Sequence, residues 1–350
     1  MPQGIHTFLP ISEDQRDFMN LDVAVKLSQA SPNRWKCRIG SPAPKPRLFT
    51  AWLSVVIMFT TSWGALYAAD DRARIREAVV RGNSQNLEML LQLPLVRTLI
   101  ANKNDNDFLY LAVEQMFPYR YNGSAASAEE LERSRSVDER QSRIIKILLE
   151  NGASASVNGA KPRPPALIHA VRLQASACVK ALLAGGADPN ITDNGYRPLP
   201  VAARNGATAP EIVRLLLEAG ADANGSDTKN GHPLVAILDY GAWNYDAYEA
   251  RREKISGRYR ALRTNSKETV EMLLQARADP SVGLQATLLH EKPAAADSEL
   301  IPMFLAAGGL KQSRYTREQA LADLLRTKVD RGWPDSKFTR IKAWIEKGEL

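Results

Sequence analysis

One short phrase recurs four times along the 350-residue chain, and its spacing limits the possible folds more than any other feature. Each copy reads Leu-Leu, two variable residues, Gly and Ala, except that Arg replaces Gly in the last copy. The copies begin at Leu148, Leu182, Leu216 and Leu273, so successive starts are 34, 34 and 57 residues apart. Periods of about 33 residues are typical of stacked helical repeats, because a single unit cannot bury its apolar face alone. The sequence therefore predicts a helical solenoid in which one unit has been lengthened.

The recurring phrase resembles the closing part of an ankyrin repeat, in which Leu-Leu-x-x-Gly-Ala-Asp is followed by Asn. Asn190 and Asn224 stand two residues after the Asp of their copies. The opening signature of that family, Thr-Pro-Leu-His-x-Ala, is matched in part by Pro198-Leu199, Pro233-Leu234 and Thr287-Leu288-Leu289-His290. The resemblance implies an all-α solenoid in which each unit has a short β-turn finger followed by two antiparallel helices.

The resemblance covers residues 70–310 and divides them into about six units. An ordinary unit has 18 residues between the family's His position and its closing Gly, as from His290 to Gly308 in the last unit. The corresponding spans 110–152 and 235–277 are 42 residues long, so these two units carry 24-residue insertions between their helices. Because the two units are three apart, both insertions are expected at the same edge of the stack.

Residues 311–350 follow the last unit, and their apolar spacing predicts two amphipathic helices. We expect them to form a C-terminal helical cap, because the end units of a solenoid need a polar outer surface. Arg277 stands where the other copies have Gly, which leaves open how the fifth unit ends.

The amino-terminal third of the chain contains an uncharged segment at residues 48–69, preceded by Lys45 and Arg47. A charged start, an apolar middle and a small-residue end are typical of a signal peptide. The 22 residues are also enough for a membrane anchor, and a buried helix is a third interpretation. Basic residues before the segment indicate that the following chain lies outside the cytoplasm. We therefore expect a bacterial periplasmic protein, or alternatively an inner-membrane anchor carrying periplasmic repeats.

Residues 1–47 are polar and rich in proline, so we expect either a disordered tail or a true translation start nearer Lys45. Beyond residue 69 the chain has 39 basic and 35 acidic side chains, a net charge of +4 that does not call for nucleic acid. Cys178 is the one cysteine of that part, so an internal disulfide is impossible there.

Catalytic motifs are missing from the sequence, and the prediction is a protein that is not an enzyme and needs no cofactor. The histidines His169, His232 and His290 fall in three different units, so we expect them to cap or pack helices rather than to bind a metal. Cys178 stands beside Val179 at an apolar helix position, which favours a buried side chain over a reactive thiol.

The ankyrin resemblance implies recognition of a protein partner through finger tips and the inner helices of a concave surface. The residues this suggests are Asn194, Tyr196, Arg197, Arg204, Asn230, His232, Asp239 and Tyr240. The second insertion adds Trp243, Tyr245 and Tyr248, because aromatic residues and Arg often anchor interfaces. Alternatively, the insertions merely lengthen helices and pack against the solenoid.

The resulting prediction is a monomeric, non-enzymatic scaffold of the bacterial envelope that binds one protein partner. Two alternatives remain open from the sequence: an immunity protein against an envelope-targeted toxin, and a membrane-anchored structural or lipid-surface module. Membrane contact is expected only if the segment 48–69 stays uncleaved, and nucleic acid is not expected as a partner.

Overall fold

The computed structural model describes residues 69–102, 107–116, 128–155, 163–205, 210–240, 253–289, 296–311, 315–331 and 335–347. Almost all regular structure in these ranges is helical. The helices are α1 (69–81), α2 (Ser84–Leu90), α3 (Pro94–Ala101), α4 (Phe108–Glu114), α5 (Ala128–Glu150), α6 (Ala166–Arg172), α7 (Ser176–Ala184), α8 (Pro198–Arg204), α9 (Pro210–Glu218), α10 (Pro233–Tyr240), α11 (Glu253–Gln275), α12 (Pro280–Leu289), α13 (Ala296–Ala306), α14 (Arg317–Arg331) and α15 (Asp335–Lys347).

The helices are arranged in pairs that stack on one another. Helices α4, α6, α8, α10, α12 and α14 each pack on the next and form what we call the first-helix row. Each is paired with the helix that follows it in sequence, and α2, α5, α7, α9 and α11 pack successively in a second-helix row. Within the described ranges there is no strand, and isolated β-bridges join Asp193 to Tyr196 and Asp227 to Gly231 in two fingers.

The four repeated leucines occupy equivalent places in this stack. Leu148, Leu182, Leu216 and Leu273 are all fully buried in one continuous core. The carbonyl of each accepts a hydrogen bond from the backbone N–H five residues later, at 2.9 or 3.0 Å. This bond closes the last turn of each second helix, so the repeated phrase is a repeated helix end. The predicted all-α solenoid is confirmed.

Arg277 ends the fifth unit in the same way as glycine ends the others. Its φ is +65°, in the left-handed region that Gly152, Gly186 and Gly220 occupy in the preceding units. The N–H of Arg277 donates to the carbonyl of Leu274, as the N–H of Gly220 donates to that of Leu217. The helix end is therefore retained, and the left-handed backbone is strained because a Cβ disfavours it.

Arg277→Gly is expected to raise the free energy of unfolding by about 0.5–1 kcal/mol, since removal of the strain exceeds the extra entropy of glycine in the unfolded chain. Urea titration measures this change. Gly220→Ala is the matched reverse substitution: no atom lies within 4 Å of the Cβ it would add, so only backbone strain changes. It should lower the free energy of unfolding by a similar amount. A loss of stability in Arg277→Gly would contradict this account of the helix end.

The two insertions lengthen second helices: α5 and α11 have 23 residues each, whereas α7 and α9 have nine. The added part of α5 packs on the next unit, where Val137 and Asp138 are buried. The carboxylate of Asp138 accepts hydrogen bonds from the N–H groups of Ala177 at 2.9 Å and Cys178 at 3.0 Å. It thereby caps α7, whose own N-cap residue offers no side-chain bond. Burial raises the pKa of Asp138, and these hydrogen bonds oppose the rise.

The start of the last unit differs from the prediction. Helix α12 begins at Pro280, so Thr287, Leu288 and Leu289 lie at its end rather than at its beginning. The prediction that these residues open the first helix of the last unit, with 18 residues from the family's His position to Gly308, was therefore wrong. The cause is that Asp279 acts as the N-cap: its side chain accepts from the N–H of Ser281 at 2.9 Å, and no separate finger precedes the helix. His290 lies outside the described residues.

Helices α14 and α15 continue the stack by packing on α12 and α13 respectively. The hydroxyl of Thr327 donates to the carbonyl of Leu288 at 2.8 Å. Their outer surface is not wholly polar, because Leu325 and Val329 are 53% and 81% exposed.

At the N-terminal end of the stack, the structure contains helix α3, which was not predicted from the sequence. The predicted tail at residues 1–47 and almost all of the apolar segment 48–69 lie outside the described residues. None of the helices that the structure describes is both long enough and apolar enough to span a bilayer.

Candidate functional site

Asparagine side chains fix the spacing between the fingers of neighbouring units. Asn190 donates to the carbonyl of Gly220 at 3.0 Å and accepts from the N–H of Asp222 at 2.8 Å. Asn224 repeats the pattern one unit later, donating to the carbonyl of Arg277 at 3.0 Å and accepting from the N–H of Asp279 at 2.7 Å. Because each amide joins two units, the finger side of the stack is held in a defined arrangement.

Asp227 organises the second of the two bridged fingers. Its carboxylate accepts from the N–H of Lys229 at 2.8 Å, from the backbone N–H of Asn230 and from the N–H of Arg197 at 3.1 Å. The N–H of Thr228 also donates to the carbonyl of Gly195 at 3.1 Å. These bonds join adjacent fingers, so a partner would meet a surface that is already ordered.

Aromatic and arginine side chains follow one another across the first-helix row. The Tyr110 ring on α4 stacks on the His169 ring on α6, with centroids 4.5 Å apart. The guanidinium of Arg163 lies 5.1 Å from the centroid of Tyr110, and that of Arg172 lies 5.5 Å from the centroid of Tyr196. Both distances are within the range of cation–π attraction.

Arg172 and Arg204 are equivalent residues, since each is the last residue of a seven-residue first helix. Arg204 donates to the side-chain oxygen of Asn230 at 3.2 Å. We call the surface formed by Tyr110, Arg163, Arg172, Tyr196 and Arg204 the aromatic–arginine track. It crosses three consecutive units and uses residues from α4, α6, α8 and the connections between them.

The five residues of the track include three arginines and no acidic residue. Asp107 lies 3.2 Å from Arg76 and 2.6 Å from Arg163, so one carboxylate serves two guanidinium groups. Arg172 is exposed, and no carboxylate of the described ranges lies within ion-pair distance of it. Burial and the neighbouring Glu114 raise the pKa of Tyr110, whereas Arg163 and Arg172 oppose the rise. The tyrosine therefore stays neutral beside the arginines.

The structure separates the predicted site residues into exposed and internal ones. Asn194 is exposed at a finger tip, and Tyr196, Arg197 and Arg204 are half-buried. Asn230 is only 7% exposed, and its side chain bonds to Asp227 and Arg204. Its amide is used within the finger, where it supports Arg204.

Three more predicted residues, Trp243, Tyr245 and Tyr248, lie outside the described residues. Asp239 and Tyr240 are placed at the end of α10.

Sequence reasoning missed Tyr110, Arg163 and Arg172 as site residues. Tyr110 stands at the family's His position, and Arg172 is the counterpart of Arg204. The sequence positions of both residues could therefore have identified them as site residues. Arg163 had none, because its nearness to Tyr110 arises only in the folded stack.

His232 is half-buried and acts as a helix cap. Its Nδ1 accepts from the N–H of Leu234 at 3.1 Å, and its Nε2 lies 3.2 Å from the side-chain oxygen of Asn224. That oxygen is an acceptor, so the ring is the neutral tautomer with the proton on Nε2. Burial lowers the pKa of His232, while the nearby Asp279 and Asp222 oppose the change.

The stability of the protein is expected to fall in acid partly through His232. The pKa of His232 is lower in the folded protein than its unfolded value of about 6.5. The contribution of His232 to the free energy of unfolding is therefore complete above about pH 6.5, and it is lost as the pH falls through the folded-state pKa. Protonation of Nδ1 also breaks the cap on α10. Urea titrations over a pH series should show wild type losing more stability than His232→Asn, which caps without titrating. The same pH dependence in both proteins would contradict this role.

Within the part of the chain that the structure describes, no cluster of His, Cys, Asp and Glu could hold a metal ion. Cys178 is fully buried, and burial together with Asp138 raises its pKa well above the ordinary value. Its thiol is therefore protonated and shielded from reagents at neutral pH.

Comparison with known proteins agrees with the geometry. Residues 135–227 match the family model of ankyrin repeats, with three copies. A search of curated proteins gave no match. The match begins within α5 and ends in the finger that contains Asp227, and it includes Arg163, Arg172, Tyr196 and Arg204. The fold is an all-α ankyrin solenoid, a repeat class that generally mediates protein–protein interaction and is not catalytic as a class.

Proposed function

We propose that this protein is a monomeric scaffold of the bacterial envelope that binds one protein partner through the first-helix row and the adjoining fingers. The observation that carries the proposal is the aromatic–arginine track, in which exposed Arg172 lies over Tyr196 without a carboxylate partner in the described ranges. Tyrosine and arginine are the residue types that most often dominate binding energy at interfaces. Because asparagine bonds already order the fingers, little conformational entropy opposes binding.

The proposed location rests on the apolar segment 48–69 and the basic residues before it. Export followed by cleavage would release a periplasmic scaffold, and retention of the segment would tether the repeats to the inner membrane. Carbonate extraction of membranes distinguishes the two: a shortened, released chain indicates cleavage, and a full-length, retained chain indicates an anchor. A cytoplasmic chain of full length would contradict both.

The binding proposal is tested by affinity purification of the tagged full chain from its native cells. The test variant carries Arg172→Glu and Arg204→Glu in the aromatic–arginine track. The matched control carries Arg143→Glu and Arg214→Glu, which make the same charge change at exposed positions on the second helices α5 and α9. We expect one stoichiometric partner with wild type and control, and its loss with the test variant. Equal recovery with the test variant would contradict the proposed face.

A further inference from the structure

We infer that segment 48–69 is retained as a membrane anchor and that the first unit of the stack, α1 and α2, lies on the bilayer surface. The contact is made by three exposed apolar side chains, Met89, Leu93 and Leu95, which we call the apolar edge. The inference rests on the proposed envelope location, chooses the anchored form of the protein, and assigns a lipid surface to the apolar edge.

Exposed apolar side chains are concentrated at the beginning of the stack. Seven large apolar residues of the described ranges are exposed, and four of them lie between residues 80 and 95. Met89, near the end of α2, is 65% exposed, and Leu93 and Leu95 are exposed on either side of Pro94. Three such residues in one short connection are not scattered single exposures, so the apolar edge indicates contact with an apolar surface.

Leu93 occupies a position at which a polar residue would stabilise the fold. It is the N-cap residue of α3, and its side chain makes no capping hydrogen bond. Ser, Thr, Asp and Asn are preferred at an N-cap, because their side chains accept from the free N–H groups of the first turn. Leu93 is not buried either, so it supports the isolated fold neither as a cap nor by packing. A lipid surface supplies the apolar surroundings that the fold does not.

The chain enters the stack at the same edge. The uncharged segment ends at residue 69, where α1 begins, so no linker separates them. A turn at Gly82 and Asn83 joins α1 to α2, and helices joined by so short a turn run antiparallel. Backbone hydrogen bonds continue the turns of α2 as far as Leu93, which is ten residues beyond Asn83 and therefore level with Arg72, ten residues before Gly82. An anchor that ends at residue 69 thus brings the apolar edge to the bilayer surface.

The charged groups near this edge do not oppose contact with lipid. Arg74 lies 2.8 Å from Asp70 and 3.8 Å from Asp71, so one guanidinium group serves both carboxylates at the start of α1. The Nε of Arg97 donates to the carbonyl of Leu91 at 2.8 Å. Residues 70–74 contain two acidic and two basic side chains. We therefore expect the contact to depend on insertion of apolar side chains rather than on attraction to anionic head groups.

Fluorescence quenching by brominated lipids tests the inference on the full chain, reconstituted into vesicles of phosphatidylethanolamine and phosphatidylglycerol. A nitrobenzoxadiazole dye is attached to the Leu93→Cys variant, which also carries Cys37→Ser, while the buried Cys178 is left unchanged. We expect brominated lipid to quench the dye at position 93. The matched control carries the dye on Val329→Cys, an apolar position that is 81% exposed in α14, and it should not be quenched.

A second pair of variants separates apolar contact from mere nearness to the bilayer. Met89→Gln together with Leu95→Gln should abolish most of the quenching at position 93, because the neighbouring apolar side chains are lost. Leu325→Gln makes the same kind of change at an exposed position of α14 and should leave the quenching unchanged. All of these side chains are exposed, so the variants should keep the wild-type urea midpoint.

Carbonate extraction of native membranes, measured in parallel, completes the test. A shortened, released chain would overturn the inference and leave the partner-binding scaffold in place. A retained chain without quenching at position 93 would overturn the lipid contact alone. Equal quenching at positions 93 and 329 would show unspecific adhesion, and a blue-shifted dye at position 93 that lipid does not quench would assign the apolar edge to a second copy of the chain; either result would overturn the inference. Partner binding is tested separately through Arg172 and Arg204, so its failure is distinguishable from these outcomes.

Discussion

Leu182→Ala is expected to lower the free energy of unfolding by about 3–5 kcal/mol. Leu182 is fully buried near the middle of the stack, and α7 packs on α5, α6 and α9. The truncated side chain leaves a cavity among three neighbouring helices, and surrounding units can close it only in part. Because each unit of a solenoid is stabilised mainly by its neighbours, damage in a central unit weakens the interfaces on both sides. Urea denaturation followed by circular dichroism measures the loss.

Leu325→Ala is the control for this substitution. It removes the same atoms from a side chain that is 53% exposed, so stability should change by less than about 0.5 kcal/mol. Leu216→Ala should reproduce the effect of Leu182→Ala, because the two residues are equivalent and equally buried. A small effect at Leu182 together with a large one at Leu325 would contradict the stack described above.

Phe304→Ala is expected to cost about 3–5 kcal/mol in the last units of the stack and to act locally. The ring is fully buried, and it occupies space that only glycine leaves open: a Cβ at Gly283 would lie 2.5 Å from its Cε1 atom. Its loss empties the contact between α12 and α13, on which α14 and α15 pack. Hydrogen exchange should show faster exchange from α12 to α15, with α6 to α9 still protected.

Gly283→Ala is the matching test from the other side of this contact. The added methyl group collides with a ring that has no free space, so we expect a loss of about 1–3 kcal/mol. Uniform loss of protection through the whole chain in Phe304→Ala would show that the units unfold as one block. Normal stability in both variants would contradict the described packing of the last unit.

Much of the fold could be predicted because the repeated phrase is determined locally. Two leucines, a left-handed residue and Ala form one helix end, and the same hydrogen bond forms wherever the phrase occurs. The register of Leu148, Leu182, Leu216 and Leu273 follows directly. Even Arg277 obeys it, since packing of the fifth unit enforces the left-handed backbone that its side chain disfavours.

What could not be predicted depends on contacts between units. Helix α12 starts at Pro280 because Asp279 serves as its cap and also donates its N–H to Asn224, a double role that no local motif reveals. The capping of α7 by Asp138 joins residues 40 positions apart. Likewise, the neighbours Tyr110 and Arg163 of the aromatic–arginine track come from different units, so the sequence indicated only some of its members.

Site-specific photo-crosslinking tests most directly whether the finger and first-helix side of the stack is the recognition surface. p-Benzoylphenylalanine would replace Lys229, an exposed finger residue, or Lys180, an exposed residue of the second helix α7, in the full chain within its native cells. The account predicts that irradiation captures one partner protein from position 229 and none from position 180. Capture from position 180 alone would contradict it.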